Sequence, residues 1–181
     1  MTTVSQHDPF TVALAAQVPA LRRYAVALVR DGAAADDLVQ DCIERALRQA
    51  DKLEEIQRIG GWLRTILHNL HIDELRRRRR QGVRVDITDV SATLAAPSGD
   101  PGLLIDFDRA MGQLTFEHRQ VLLLVGLEGL NYREVAEELG IPIGTVMSRL
   151  ARGREKLREA MEEKNPQATS KSDEPNYVRK P

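Results

Sequence analysis

The sequence is poor in cysteine, in aromatic residues and in long apolar runs. Its single cysteine, Cys42, excludes an internal disulfide framework and is typical of a reducing compartment. Aromatic residues make up only 4% of the 181 residues, so the core must be mainly aliphatic, which favours helices over a β-sandwich. No stretch approaches the ~20 apolar residues that span a bilayer, and the N-terminus lacks the layout of a signal peptide. We therefore expect a cytoplasmic, helical protein without membrane insertion.

Patterns that serve catalysis or metal binding are also missing. The chain has no Ser/His/Asp grouping, no glycine-rich phosphate loop and no HExxH motif. His68 and His71 lie three residues apart and Cys42 lies on another helix, which is not a known metal-ligand spacing. We expect a buried thiol and surface imidazoles. The sequence thus predicts no enzyme, no metal site and no cofactor.

The net charge of −1 hides blocks of alternating sign. Residues 31–55 carry −5 and residues 85–143 carry −7, whereas residues 56–84 carry +6 and residues 144–158 carry +4. Of the 26 basic residues, 21 are arginine, whose planar fork can grip phosphate or guanine with two hydrogen bonds. The two basic blocks therefore indicate a nucleic-acid partner that the net charge alone would exclude.

Apolar residues at helical spacing divide the chain into two all-α domains. In the first we expect helices over 18–30 and 34–50 and a third from Trp62 to the Arg76–Arg80 run, with Asp31-Gly32 and Gly60-Gly61 as breaks. In the second we expect helices over 104–113, 116–127, 132–139 and 143–163, with Thr115 as an N-cap. The predicted units are a first domain at 10–80, a flexible linker at 81–103, a second domain at 104–163 and a disordered tail at 164–181.

Residues 132–154 (YREVAEELGIPIGTVMSRLARGR) have the pattern of a DNA-reading helix-turn-helix. Gly140 permits the positive φ of a tight turn, and Pro142 suits the start of a helix rather than its interior. Val146 and Leu150 are four residues apart and should both face the core. The outward face then consists of Thr145, Ser148, Arg149 and Arg152. A helical hairpin with a solvated basic face is the alternative, but turn spacing and charge together favour DNA binding.

Three stretches together resemble bacterial sigma factors of the extracytoplasmic-function (ECF) group, the smallest relatives of sigma-70. They are DDLVQDCIERALR (36–48), GGWLRTILHNLHIDELRRRRR (60–80) and LTFEHRQVLLLVGLEGLNYREVAEELGIPIGTVMSRLARGREKLR (114–158). The first two are similar to the region 2 helices that dock on the polymerase clamp and handle the −10 element, and the third is similar to all of region 4. The resemblance implies two helical domains on a linker, with core RNA polymerase (β′ clamp helices and β flap), promoter DNA and an anti-sigma factor as partners.

For region 4, the resemblance implies a set of side chains that bind the −35 element. The set is Arg133, Thr145, Met147, Ser148, Arg149, Arg152 and Arg154. We expect Arg152 to contact bases, and Arg133, Arg149 and Arg154 to contact phosphates, which position the protein without specifying sequence. Met147 stands where the family often has a basic residue, and it can touch a thymine methyl but cannot hold a phosphate.

For region 2, the resemblance implies a −10 set and a polymerase set. The loop at 53–61 is similar to the segment that holds a flipped −10 base, and Asn69 matches a position that faces the non-template strand. The −10 set is Leu53, Ile56, Asn69, Arg76 and Arg77. The polymerase set, an acidic and apolar patch for the β′ clamp helices, is Asp36, Asp37, Leu38, Gln40 and Asp41. A solvated helix surface is the alternative for both the arginine run and the acidic patch.

Two other functions compete with that of a sigma factor. A sigma-like decoy would sequester an anti-sigma factor without touching DNA, but it would not need the arginines at 149–154. A stand-alone helix-turn-helix regulator would explain residues 114–158 and leave residues 36–80 without a purpose. If the chain is a sigma factor, we expect its acidic segments to oppose promoter binding until core polymerase rearranges them.

Overall fold

The computed structural model describes residues 8–80 and 101–162, and these residues are almost entirely helical, as predicted. The α-helices are α1 (Pro9–Val29), α2 (Gly32–Arg48), α3 (Ile59–Arg80), α4 (Pro101–Gly112), α5 (Phe116–Gly126), α6 (Tyr132–Leu139) and α7 (Ile143–Glu162). Two 3-10 turns, Ala50–Lys52 and Ile56–Arg58, connect α2 to α3. Most of the predicted linker (81–100) and the predicted tail lie outside the described residues, while residues 101–103 belong to α4.

Helix α1 begins nine residues earlier than the sequence predicts, at Pro9, where a proline suits the first turn. Its second proline, Pro19, lies inside the helix. Within the described residues, α1 is the one helix that is long and apolar enough to cross a membrane by length and composition. Six of its residues are buried against the rest of the protein. A core helix of a folded domain can have the same length and apolar composition as a membrane-spanning helix.

The breaks before α2 and α3 differ from the predicted ones. Arg30 ends α1 in the left-handed conformation (φ 64°), Asp31 caps α2 by accepting a hydrogen bond from the Ala34 amide, and Gly32 is the first residue of α2. Gly60 and Gly61 do not close a loop, because α3 already begins at Ile59. The two glycines instead leave room for neighbouring side chains. A Cβ at Gly61 would lie 3.3 Å from the carboxylate of Glu138, and one at Gly60 would lie 3.2 Å from Gln17.

The core of the first half forms where α1, α2 and α3 pack together. Cys42 is fully buried there and its Sγ–H donates to the Leu63 carbonyl at 3.3 Å. The burial confirms the prediction of a buried thiol, and it raises the pKa of this thiol to about 12. The prediction of surface imidazoles is wrong. His68 is 4% exposed with its Nε2 2.8 Å from the Tyr24 hydroxyl, and His71 is half-buried with its ring 5.0 Å from that of Phe116.

Helices α4 to α7 form the second half around Val121, Leu124, Val135, Val146 and Leu150, all buried. Thr115 caps α5 as predicted, by accepting from the His118 amide. Arg119 is buried and donates from its guanidinium to the carbonyl oxygens of Met111, Gly112 and Leu114, which brings the turn between α4 and α5 onto α5.

The two halves share one hydrophobic core and are joined by buried polar contacts. Arg64 of α3 lies between two carboxylates of the second half, those of Glu128 and Glu138, with N–O distances of 2.8 to 2.9 Å. Arg30 pairs with Asp108 of α4 at 2.8 Å, and Arg119 donates to the Leu28 carbonyl at the end of α1 at 2.7 Å. The helices of the first half are thus packed directly against those of the second.

Candidate nucleic-acid interface

The helix-turn-helix is formed by α6, a three-residue turn and α7. Asn131 and Glu134 form a capping box at the start of α6, and Gly140 ends it with φ 63°, the left-handed value predicted for the turn. Helix α7 then begins at Ile143, with the Pro142 carbonyl accepting from the amides of its first turn. This geometry confirms the helix-turn-helix that the sequence predicts.

One face of α7 is buried and the opposite face is free. Val146, Leu150 and Gly153 lie in the core, and Gly153 lets α7 approach α5 so closely that a Cβ would come 3.0 Å from Leu122. At 100° per residue, Thr145, Ser148, Arg149 and Arg152 cluster on the outward side. Ser148 and Arg152 are exposed, whereas Thr145 and Arg149 are half-buried at its margin. The four residues that the sequence predicts on the outward face of α7 therefore lie together on that face.

The remaining members of the −35 set lie around this face. Arg154 and Met147, which is 54% exposed, lie on the flank of α7 away from Arg149, and Arg133 is exposed on α6. Arg133, Arg149, Arg152 and Arg154 form no ion pair with any residue in 8–80 or 101–162. Their guanidinium groups are therefore available for phosphate oxygens and base edges.

The basic face extends further than the sequence suggested. Burial lowers the pKa of His118 on α5, and the positive charges of Lys156, Arg152 and Arg149 lower it further, so these cations lie near its ring. Lys156 was not among the predicted −35 residues, although its position four residues after Arg152 on one helix face was a usable signal. The cationic surface thus runs from α7 towards the start of α5.

The predicted −10 residues are at the surface of the first half. Ile56 is 36% exposed in the second 3-10 turn, Leu53 is half-buried, and Asn69 is exposed on α3. Arg76 and Arg77 are exposed at the end of α3 but lie 3.6 and 2.6 Å from carboxylate oxygens of Asp73 and Glu74. These are surface ion pairs, which contribute little to stability.

The predicted polymerase patch on α2 is only partly free. Asp37, Gln40 and Asp41 are exposed. Leu38 is 8% exposed and belongs to the core, so it offers little surface to a partner. Asp36 already accepts two hydrogen bonds from Arg22 of α1, which lower the pKa of its carboxyl. The available surface is therefore polar and acidic, without the apolar component that the sequence suggested.

A groove of about 1850 Å³ runs between the two halves. Residues from all three predicted sets line it: Asp37, Asp41, Asn69, Arg76, Arg77 and Arg149. Acidic and basic side chains that are far apart in the sequence thus face a common space. Within the part of the chain that the structure describes, no group of three or more His, Cys, Asp or Glu residues could hold a metal ion.

Comparison with known proteins matches each half of the chain to a protein-family model. The family model for sigma-70 region 2 matches residues 14–81, and the model for sigma-70 region 4 matches residues 104–157. The ECF RNA polymerase sigma factor EcfG of Rhodopseudomonas palustris is 37% identical over 144 residues, covering 78% of this chain and 79% of the relative. The RNA polymerase sigma factor CarQ of Myxococcus xanthus is 32% identical over 158 residues, covering 86% of this chain and 91% of the relative.

A solved structure has the same arrangement. The sigma factor RpoE of Bartonella quintana, in complex with the anti-sigma factor NepR, superposes with a TM-score of 0.72 at 32% identity, covering 84% of this chain and 96% of that chain. Members of this family bind core RNA polymerase and promoter DNA and direct transcription initiation. Two matching region models, two long relatives and a matching structure agree, and the chain therefore belongs to the ECF sigma factors of the sigma-70 family.

Proposed function

We propose that this sigma factor recognises the −35 element with the outward face of α7 and the −10 strand with α3 and the loop before it. The observation that carries the proposal is the α7 face, where Ser148 and Arg152 are exposed opposite a buried stripe and the arginines have no carboxylate partner among the described residues. The positive end of the helix dipole adds to the attraction for phosphate. Core polymerase would dock on the exposed acids of α2.

The proposal extends to regulation and place of action. Because a relative of similar fold has been solved with an anti-sigma factor, we infer that a protein of this class also restrains the present chain. Sigma factors act on polymerase and DNA, so the chain would work in the bacterial cytoplasm and perform no catalysis of its own. In vitro transcription with core polymerase on a promoter library tests the function directly: failure to initiate at any promoter would refute it.

Substituting Arg152→Ala is expected to weaken initiation from −35-dependent promoters by about 1–3 kcal/mol, or roughly 5- to 150-fold, and to relax preference at one or two base positions. The reason is the loss of a paired contact to a base edge. Initiation rates on promoter variants at each −35 position would measure both the loss of initiation and the change in base preference. Arg158→Ala is the matched control, because Arg158 lies on the same helix but pairs with Glu162. An equal loss on every promoter sequence would make Arg152 a phosphate contact instead.

Substituting Asp37→Arg is expected to reduce the affinity for core polymerase at least ~10-fold, because the charge reversal opposes the basic partner surface that an acidic patch requires. Titration of labelled protein with core polymerase measures the dissociation constant. Glu159→Arg makes the same charge change at an exposed position of α7 and should leave the affinity intact. If both variants bind like the unmodified chain, α2 is not the docking helix.

A further inference from the structure

The N-terminal end of α7 exposes an apolar surface. Ile143 and Met147 are 43% and 54% exposed, and their spacing of four residues places them on one side of the helix. Pro142 and Gly144 beside them are also exposed, and a Cβ at Gly144 would meet nothing within 4 Å. The segment 142–147 contains no charged residue. Ile143 and Met147, called here the apolar pair, therefore form an open apolar surface at the start of α7.

The position of the apolar pair places it against base edges. In a helix-turn-helix, the N-terminal residues of the second helix contact the bases in the major groove. Arg154 comes seven residues after Met147, so it lies on the same side of α7 about 10 Å further along the axis. Arg154, like Arg152 on the outward face, forms no ion pair within residues 8–80 or 101–162. An apolar surface at the base-contacting end thus adjoins cations that attract the DNA backbone.

Thymine is the base whose chemistry fits this surface, because its C5-methyl is the apolar group in the donor and acceptor pattern of the major groove. Packing this methyl between two apolar side chains removes it from water, which is favourable. A phosphate or a polar base atom would lose hydration against the same surface without gaining a hydrogen bond. Ile143 and Met147 are about 6 Å apart along the helix axis, and successive bases are about 3.4 Å apart, so the pair can cover one or two thymines.

We propose that Ile143 and Met147 are specificity-determining residues that hold the C5-methyl of one or two thymines in the −35 element. The inference rests on the proposed function and deepens it, since it assigns a base to the helix proposed to recognise that element. The contact differs from that of Arg152, whose hydrogen bonds would read polar atoms of a base. Recognition at these positions then depends on the methyl group itself rather than on base pairing.

The test uses the full chain with core polymerase on a −35-dependent promoter taken from the library. Each thymine of the −35 element, on either strand, is replaced in turn by deoxyuridine, which lacks only the methyl group and pairs identically. At one or two positions this change should weaken promoter binding about 4-fold, the value expected for one buried methyl group. Competition binding measures the dissociation constant for each promoter.

Alanine variants identify the side chains that hold the methyl group. Met147→Ala should bind the thymine and deoxyuridine promoters with equal, reduced affinity, and Ile143→Ala should narrow the difference between them. Ile105→Ala is the matched control, because Ile105 is an apolar side chain of α4 that is 51% exposed, and it should keep the full difference. Both α7 positions are exposed and alanine favours helices, so helical circular dichroism should not change. Should Met147→Ala lose helix content, Met147→Gln keeps the length of the side chain and gives the same readout.

Three results would overturn the thymine contact. The first is a −35 element that contains no thymine, and the second is one in which every thymine accepts deoxyuridine without loss. The third is a Met147→Ala variant that still distinguishes the two promoters 4-fold, because Met147 would then contact sugar or phosphate instead. An unmodified chain that initiates at no promoter would refute the proposed function as well, whereas normal initiation with indifference to deoxyuridine would refute the thymine contact alone.

Discussion

Replacing Arg119 with methionine is expected to lower the free energy of unfolding by about 3–5 kcal/mol at pH 7. The guanidinium is buried and donates to four carbonyl oxygens at 2.7 to 3.4 Å. Burial, followed by the charge of Arg30, lowers the pKa of Arg119 to about 10, which still leaves it charged at neutral pH. Methionine fills a similar volume but donates no hydrogen bond, and the four backbone carbonyl oxygens remain buried in the variant. Four buried acceptors therefore lose a donor at once.

Thermal and denaturant unfolding would measure this effect, with an expected fall in Tm of about 10 °C for a chain of this size. The matched control is Arg109→Met on α4, because Arg109 is 51% exposed by side chain and makes only a surface pair with Asp106. That substitution should change stability by about 0.5 kcal/mol or less. If both variants lose the same stability, the carbonyl contacts of Arg119 are not what holds the turn between α4 and α5.

Local signals explain why the helix-turn-helix was predictable. The left-handed glycine, the N-terminal cap and the buried pair Val146 and Leu150 all act within a few residues of one another, so their pattern is complete in the sequence. The bounds of α6 were predicted to the residue for the same reason, and the outward face of α7 followed from the buried one. The fold of region 4 and the exposed face of α7 could therefore be predicted from the sequence.

The contact between the regions could not be predicted, because its members are far apart in the chain. Arg64 and Glu138 are separated by 74 residues, and Arg119 and Leu28 by 91. In the sequence, Arg64 is one of many basic residues in a block that suggested a DNA surface. Its actual partners are two glutamates in the acidic block at 85–143. Charge blocks indicate where cations and anions are concentrated, but they do not show which of them pair.

The histidines of α3 illustrate a related error. The sequence predicts that the imidazoles of His68 and His71 lie at the surface of this helix. The structure covers both of them, with Tyr24 of α1 over His68 and with Phe116 of α5 beside His71. The His68 side of α3 packs against α1 of its own domain, whereas the His71 side packs against α5 of the neighbouring domain. Neither contact can be deduced from the apolar periodicity of α3 alone.

Acidification is expected to destabilise the protein through these two histidines. Burial is the main cause that lowers the pKa of His68 to about 3, and the charges of Arg64 and His71 lower it further. Burial is also the main cause that lowers the pKa of His71 to about 4. The charges of Arg119 and Arg78 add to this shift, and that of Glu74 opposes it. The unfolded chain binds both protons near pH 6.5, whereas the folded chain resists them. Stability is therefore constant above about pH 6.5 and falls below it, by about 1.4 kcal/mol per pH unit for each histidine.

The loss should reach about 5 kcal/mol at pH 4.5, because both imidazoles of the unfolded chain are protonated at that pH while both buried ones remain mostly neutral. The structural reason is clearest at His68, whose Nδ1 is buried without a hydrogen-bond partner among the described residues, so a second ring proton would have no acceptor.

Unfolding curves between pH 7 and 4.5 measure how steeply stability falls with pH, and the double variant His68→Gln/His71→Gln removes both titrating groups. Glu138, whose pKa is raised, acts in the opposite direction because its protonation favours the folded state. The unmodified chain should therefore lose stability more steeply than the double variant, and equal slopes would show that carboxylates rather than buried imidazoles govern acid unfolding.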